Sequence, residues 1–445
     1  MALASLPEVQ AVEEVRVFQG DRIEGGALIK ATQLRNELGG TGRGVGVAVI
    51  DSGIYASHPD FGSRVVAHLD ATRTTGDGRI DQAGHGTAVA GIAAGAGGGM
   101  APEANLWAMK ALNSAGQGTS DWILTALNAV YAARDDHGGI RVVNMSLSDA
   151  TLNATDCDVL SPAFSQAIDR LTAAGIAVFT SSGNSGYATG ISHPACLSNA
   201  ISVGALYDAD SGPALFSVCR DASTAADQII CYSNSGPPLD LLAPSHCART
   251  TKAGGGYLNC FGGTSASSPY VAGVAAQILS LRPDTTPAAL REALMSTGRP
   301  VGEPWTGLVR HRIDAVAAYH RLTGGATPDL CVPSATTLCL AGGRFKVEAA
   351  YEAASGAAGQ AHLVQLTDDS GYLWFFNSKN VEAVVKVLDA CSLGGKYWVF
   401  AGGLTDVRTT LNVTDTRTGT VKTYTNPQGA AFLPIQDTAA FATCP

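Results

Sequence analysis

Apolar runs without polar alternation recur through the amino-terminal three-quarters of the chain, and helix-like stretches separate them. "GVGVAVIDSGI", Gly44 to Ile54, is the first: nearly continuous, valine-rich and bounded by glycines. A strand reads this way when both its faces are buried, which confines it to a parallel sheet covered on both sides. "IRVVNMSLS", "IAVFTSSGN" and "AISVGALY" repeat the pattern. Between them, "GTAVAGIAAGA" after His85, "SDWILTALNAVYAARDDHG" with Ser120 as its N-cap, and "AFSQAIDRLTAAG" have helical spacing. Such alternation predicts βαβ units and an α/β fold with a twisted, mostly parallel sheet and helices on both faces.

That pattern stops after "AYHRLTGGATPD". From Cys331 onward, "HLVQLT", "YLWFFN", "KYWVFAGG" and "RTTLNVTDTRTGTVKTYTN" are short alternating segments between Gly, Asn and Asp turns. They predict a smaller all-β, sandwich-like module at 331–445, reached through a linker at 324–330. A chain of 445 residues is long enough for two cores. Tyr372, Trp374, Phe375, Phe376 and Trp398 are expected mostly in the module's core, with a carbohydrate platform as the alternative.

A net charge of −9 and the lack of any basic run exclude nucleic acid as a partner. No apolar run reaches the ~18 residues that a spanning helix needs. The ten cysteines form no Cys-x-x-Cys. Their even, dispersed placement points to disulfides and an oxidising compartment; buried free thiols are the blander alternative.

Four short motifs carry candidate chemistry, and each has an ordinary structural reading. Asp51 ends the first buried strand, where open α/β sheets place functional groups, although strand-end Asp residues commonly cap turns. His85 lies between glycines in "GHGT"; of the other eight histidines, His58 and His193 precede prolines and read as turn residues. Asn184 in "SSGNSG" is either a turn former or an amide donor. Ser265 opens the helix of "GTSASSPYVAGVAA", a place where serine is a favoured cap. One cap needs one hydroxyl, however, and Thr264, Ser265, Ser267 and Ser268 supply four. A serine there also has its own N–H aimed at the site where an oxyanion would develop.

In order and context, "VIDSGI", "GHGTAVAG", "SSGN" and "GTSASSPYVAGVAA" resemble the Asp, His, oxyanion-Asn and Ser segments of the subtilisin-like serine proteases (subtilases), over roughly 33–319. The order Asp…His…Ser is that family's. The resemblance implies Ser265 as nucleophile, His85 as general base and acid, Asp51 as its orienting carboxylate and Asn184 in the oxyanion hole. It implies a secreted endopeptidase acting on proteins or peptides, a monomer, with no cofactor in the chemistry. Substrate backbone would lie against Asn144–Ser148, with Ser146, Leu147 and Ser148, and against the loop around Gly116. Ser148 replaces a glycine usual in the family, and Tyr270 stands where His is common. A catalytically inactive fold that binds proteins, and a protease whose carboxyl-terminal module mainly binds substrates or surfaces, are the competing readings.

The resemblance also leaves room for structural calcium, at Asp60 in "HPDF" or near Pro194, Cys196 and Asp208; the loop completing the first site is shortened to "AGAGGGMAPEAN". "LPEVQAVEEVRVFQ" resembles the last strand of the family's inhibitory propeptide, so 1–19 is expected to be its remnant or an ordinary amino-terminal strand, and 20–323 the catalytic domain. A signal peptide is then expected upstream of this sequence. Sequence proximity suggests the pairs Cys157–Cys196, Cys219–Cys231, Cys247–Cys260, Cys331–Cys339 and Cys391–Cys444, although connectivity is not deducible from spacing. Finally, Ala266 replaces the Met usually found after the nucleophile. Without that thioether, peroxide should inactivate this protein less than a Met-bearing relative; equal loss under matched oxidation would count against the assignment.

Overall fold

The computed structural model describes residues 24–303, 305–323, 331, 333–341, 343–416 and 418–444. The expected propeptide remnant at 1–19 and the linker at 324–330 lie outside these residues. The chain divides into two compact units, one formed by 1–32, 40–281 and 301–312, the other by 33–39, 282–300 and 313–445.

In the first unit, seven apolar segments form strands β1 (Gly46–Asp51), β2 (Val65–Asp70), β3 (Asn105–Lys110), β4 (Ile140–Met145), β5 (Ala177–Ser181), β6 (Ile201–Leu206) and β7 (Leu241–Pro244). Their order is β7-β6-β5-β4-β1-β3-β2, every adjacent pair is parallel, and Val309–Arg312 and then Arg299–Gly302 extend the β7 edge. Helices α1 (His85–Ala94), α2 (Ser120–Ala132), α3 (Pro162–Ala173) and α4 (Thr264–Leu281) cover the sheet. Ala48, Ile50, Val143, Met145 and Val178 share one apolar cluster with Leu127, Val130, Ile168 and Leu171 of α2 and α3. The alternate residues Val47, Val49, Val142 and Phe179 are equally buried and, by the two-residue strand period, face the other way. Two-sided burial is why these strands show no polar alternation. The cap of α2 is a correction: Thr119, not Ser120, occupies the N-cap, and its side chain makes no capping bond.

A hairpin follows β7, formed by β8 (Ala248–Thr251) and β9 (Tyr257–Phe261) and tied by the Cys247–Cys260 disulfide. It rests on α1: Thr250 Oγ1 donates to the Ala88 carbonyl at 2.6 Å, and Thr251 Oγ1 to the Thr87 carbonyl at 2.7 Å. The other disulfides are Cys157–Cys196, Cys219–Cys231, Cys331–Cys339 and Cys391–Cys444. Cys219–Cys231 staples a small antiparallel pair, Ala214–Leu215 with Arg220–Asp221.

Within the second unit, residues 331–444 form two five-stranded antiparallel sheets. Phe345, Val347, Leu411 and Val413 of one sheet and Leu363, Leu373, Val385, Val399 and Phe441 of the other join a single apolar cluster. The aromatic expectation needs correcting. Phe375 is buried, but Phe376 is 56 % exposed. Tyr372, Trp374 and Trp398 are half-buried, because the strand period turns them away from the core.

The approach of the β8–β9 hairpin to α1 requires Gly91. A Cβ there would lie 2.3 Å from both the Thr250 and the Thr251 Oγ1 atoms. Gly91→Ala gains about 1 kcal/mol of helix propensity. Overpacking costs about 1–3 kcal/mol, and two bonded hydroxyls leave little room to relax. Urea unfolding should therefore show a net loss of stability, and an unchanged or raised midpoint would contradict this packing.

Candidate active site

Parallel strands bring their carboxyl ends to one edge, and the candidate residues sit there or on the helices that follow. Asp51 is the last residue of β1 and is fully buried. His85 opens α1, and its Nδ1 lies 2.8 and 3.0 Å from the two Asp51 carboxylate oxygens. A carboxylate only accepts, so Nδ1 carries the proton and Nε2 of the neutral ring is left as an acceptor. The imidazole keeps 30 % of its side-chain surface open and meets the Phe261 ring edge-on at 5.4 Å.

Asn184 follows β5. Its Oδ1 accepts from the Thr264 backbone N–H at 2.8 Å and from Thr264 Oγ1 at 3.0 Å. With Oδ1 occupied twice, the amide's NH2 is the end left to meet an incoming group, and Asn184 is exposed. Gly183 N–H donates in turn to Thr264 Oγ1 at 3.2 Å.

Pro269 decides how the nucleophile candidate is held. It has no N–H, so the carbonyl four residues earlier, that of Ser265, has no helical donor. Ser146 Oγ supplies one at 2.9 Å. Ser146 Oγ itself accepts from Asn144 Nδ2 at 2.9 Å, and Asn144 Oδ1 accepts from Ser268 Oγ at 2.7 Å. Asn144 and Ser268 are fully buried, so these bonds fix α4 against the end of β4. Ser265 Oγ donates to the Ser146 carbonyl at 3.3 Å, and among the described residues no hydrogen bond joins it to the imidazole. Nothing in the structure explains the buried Ser267 hydroxyl, which has no described partner.

An open cleft of about 860 Å³ runs from His85 past Leu112, Gly116, Ile123, Leu147 and Ser148. Ser148 and Gly116 are exposed along it, and Ser146 is buried beneath. His193 lines the far wall, with Phe164 edge-on at 4.7 Å, so it is more than a turn residue. His58 lies in consecutive turns, as expected, its N–H donating to the Tyr55 carbonyl and its carbonyl accepting from the Phe61 N–H, both at 3.0 Å, but it is not a surface residue. It is 2 % exposed, with Nε2 at 2.7 Å from the Gly256 carbonyl and Nδ1 accepting from the Asp60 N–H at 3.2 Å.

At Asp60 the described residues gather no second carboxylate that would help to complete a calcium site. A hard cation needs 6–8 oxygens; here the Asp60 Oδ2 accepts from the Gly97 N–H at 2.9 Å and its Oδ1 from Tyr257 OH at 2.6 Å. Asp208 is half-buried after β6. Among the described residues no group of three or more His, Cys, Asp or Glu side chains is gathered to hold a metal, and no described helix is long and apolar enough to cross a membrane.

The Subtilase family model matches residues 42–320. The chain belongs to that family. Over 282 residues it is 35 % identical to Subtilisin E of Bacillus subtilis (strain 168), a match covering 62 % of this chain and 65 % of that protein. It is 35 % identical to Subtilisin of Bacillus pumilus, covering 62 % and 90 %. A cold adapted subtilisin-like serine proteinase of known crystal structure aligns at TM-score 0.52 and 28 % identity, over 62 % of this chain and 90 % of that one.

Several contacts of this subtilase site escape motif reading. The surplus hydroxyls pointed to Thr264 and Ser268 and the resemblance to Asn144, but the hydrogen bonds through which these three act are invisible to local sequence. For His85, burial works to lower the pKa, but the Asp51 charge and hydrogen bond, with a smaller contribution from Asp81, outweigh it and raise the pKa above 6.5. The His85⁺–Asp51 pair therefore adds stability in full below the unfolded histidine value and loses it as pH rises through the folded one. The neutral base accumulates only above that folded value. An NMR titration of the ring should give a midpoint above 6.5, and a midpoint below it would contradict the geometry.

Proposed function

We propose that the chain is a secreted serine endopeptidase that cleaves peptide bonds through an acyl-enzyme intermediate. The observation that carries this reading is the buried Asp51 carboxylate fixing Nδ1 of His85, beside a helix that starts at Thr264–Ser265 and an amide whose oxygen is already engaged. Ser265 Oγ attacks the scissile carbonyl and passes its proton to His85 Nε2; the imidazolium formed is stabilised by Asp51. The oxyanion receives the Asn184 amide and the Ser265 N–H. His85 then protonates the leaving amine, and water repeats the sequence on the ester.

Before this, the Ser265 hydroxyl must leave the Ser146 carbonyl. An extended substrate lying against the end of β4 supplies its own N–H to that carbonyl, which frees the hydroxyl for the imidazole. These proton transfers use side chains alone, so the reaction needs no cofactor. The disulfides support an oxidising, extracellular setting. Chemistry in 20–323, a module at 331–445 that binds substrates or surfaces, a propeptide that assists folding and inhibits, and a monomeric state complete the reading.

A fluorophosphonate should label wild type at Ser265 and leave Ser265→Ala unlabelled, and a peptide library should be cut only by the former. A folded wild type that takes no label would establish the inactive, protein-binding alternative. Asn184→Ala should lower kcat about a hundredfold or more with KM little changed, subtilisin being the reference case for that magnitude; a loss confined to KM would remove Asn184 from the oxyanion site.

A further inference from the structure

A second carboxylate lies beside the Asp51–His85 pair. Asp81 is 9 % exposed, and neutral donors surround it. Its Oδ1 accepts from Ser52 Oγ and the Gly84 N–H, both at 2.8 Å. Its Oδ2 accepts from the Thr87 N–H at 2.8 Å and Thr87 Oγ1 at 2.6 Å. Gly84 and Thr87 flank His85 at the start of α1, where Gly84 takes a left-handed conformation and offers no side-chain cap. Asp81 therefore supplies the anion that the helix start lacks.

Ser52 joins this carboxylate to Asp51. Its backbone N–H donates to Asp51 Oδ1 at 2.7 Å, while its Oγ donates to Asp81 and accepts from the Gly86 N–H at 2.9 Å. Lys110, fully buried at the end of β3, closes the circuit. Its ammonium donates to the Ser52 carbonyl at 2.7 Å and to the Ile80 carbonyl at 3.3 Å, on the residues adjoining Asp51 and Asp81. A fully buried ammonium is costly without nearby anions, and here the chain places one beside each carbonyl that it clamps.

We propose that Asp81 is a positioning residue for the Asp51–His85 pair: through Ser52 it holds the end of β1 and the start of α1 in register, and it keeps a second negative charge against the turn that carries the imidazole. The catalytic consequence rests on the function proposed above; the charge effect on His85 does not. Charged and titratable groups around the ring are Asp51 on β1, Asp81 before α1, Lys110 on β3, Lys252 on the β8–β9 hairpin, and Asp149 and His193 across the cleft. Asp81 acts in the same direction as Asp51, favouring the imidazolium that forms as Ser265 attacks.

The test compares full-length wild type, Asp81→Asn, Asp81→Glu and Ser52→Ala. In an NMR titration, Asp81→Asn should lower the His85 midpoint by about half a pH unit, and Asp81→Glu should hold it near wild type. This readout works even if Ser265 proves unreactive, so it separates failure of this inference from failure of the proposed function. In kinetics, Asp81→Asn should move the acidic limb of kcat/KM the same way and cut kcat about tenfold with KM unchanged. An unmoved midpoint in folded Asp81→Asn overturns the proposal. Should that variant not fold, Ser52→Ala decides: a severalfold fall in kcat at unchanged KM and midpoint is expected, and an unchanged kcat overturns it.

Discussion

The hydrogen bond from His85 Nδ1 to the Asp51 carboxylate depends on nearly everything else in the first unit. It requires a carboxylate at the end of a strand buried on both faces and a helix start brought to the same edge. It also requires a second strand, β3, to deliver Lys110 alongside in parallel register. Burying Asp51 without a partner would cost several kcal/mol. The ring, its neighbour Ser52 and the sheet edge thus stand together, and the cleft is built around a charge that the fold cannot leave alone.

Pro269 shows the same economy in the opposite sense. A missing donor inside α4 frees one carbonyl, and Ser146 takes it up. The residue bearing the candidate nucleophile is thereby tied to the strand end along which substrate is proposed to lie. The four hydroxyls of "TSASS" divide their tasks: Thr264 orients Asn184, Ser268 engages Asn144, and Ser265 meets the Ser146 carbonyl at the end of β4, while Ser267 has no task that the structure reveals.

Much of this was legible in the residues. Continuous apolar runs revealed the parallel sheet because burial on both faces leaves no polar phase, and alternating segments after Cys331 revealed antiparallel sheets because one face of each is wet. Local motifs singled out Asp51, His85, Asn184 and Ser265 as candidates, and of these the structure joins Asp51 to His85 by a hydrogen bond. Partners distant in sequence were not legible. Asp81 meets Ser52 across 29 residues and Tyr257 meets Asp60 across 197, and no periodicity encodes such meetings. The module's aromatics misled for a related reason: hydrophobic type signals burial, but the pleat decides which side each ring takes, and Tyr372 and Trp374 fall on the outer one.

The clasp at Asp60 has one last implication. Its carboxylate is bonded to the tyrosine of the β8–β9 hairpin and to the N–H of Gly97, just beyond the end of α1. This corner of the molecule is therefore held by bonds between partners far apart in sequence, which fix the turn at Asp60 and the hairpin to one another.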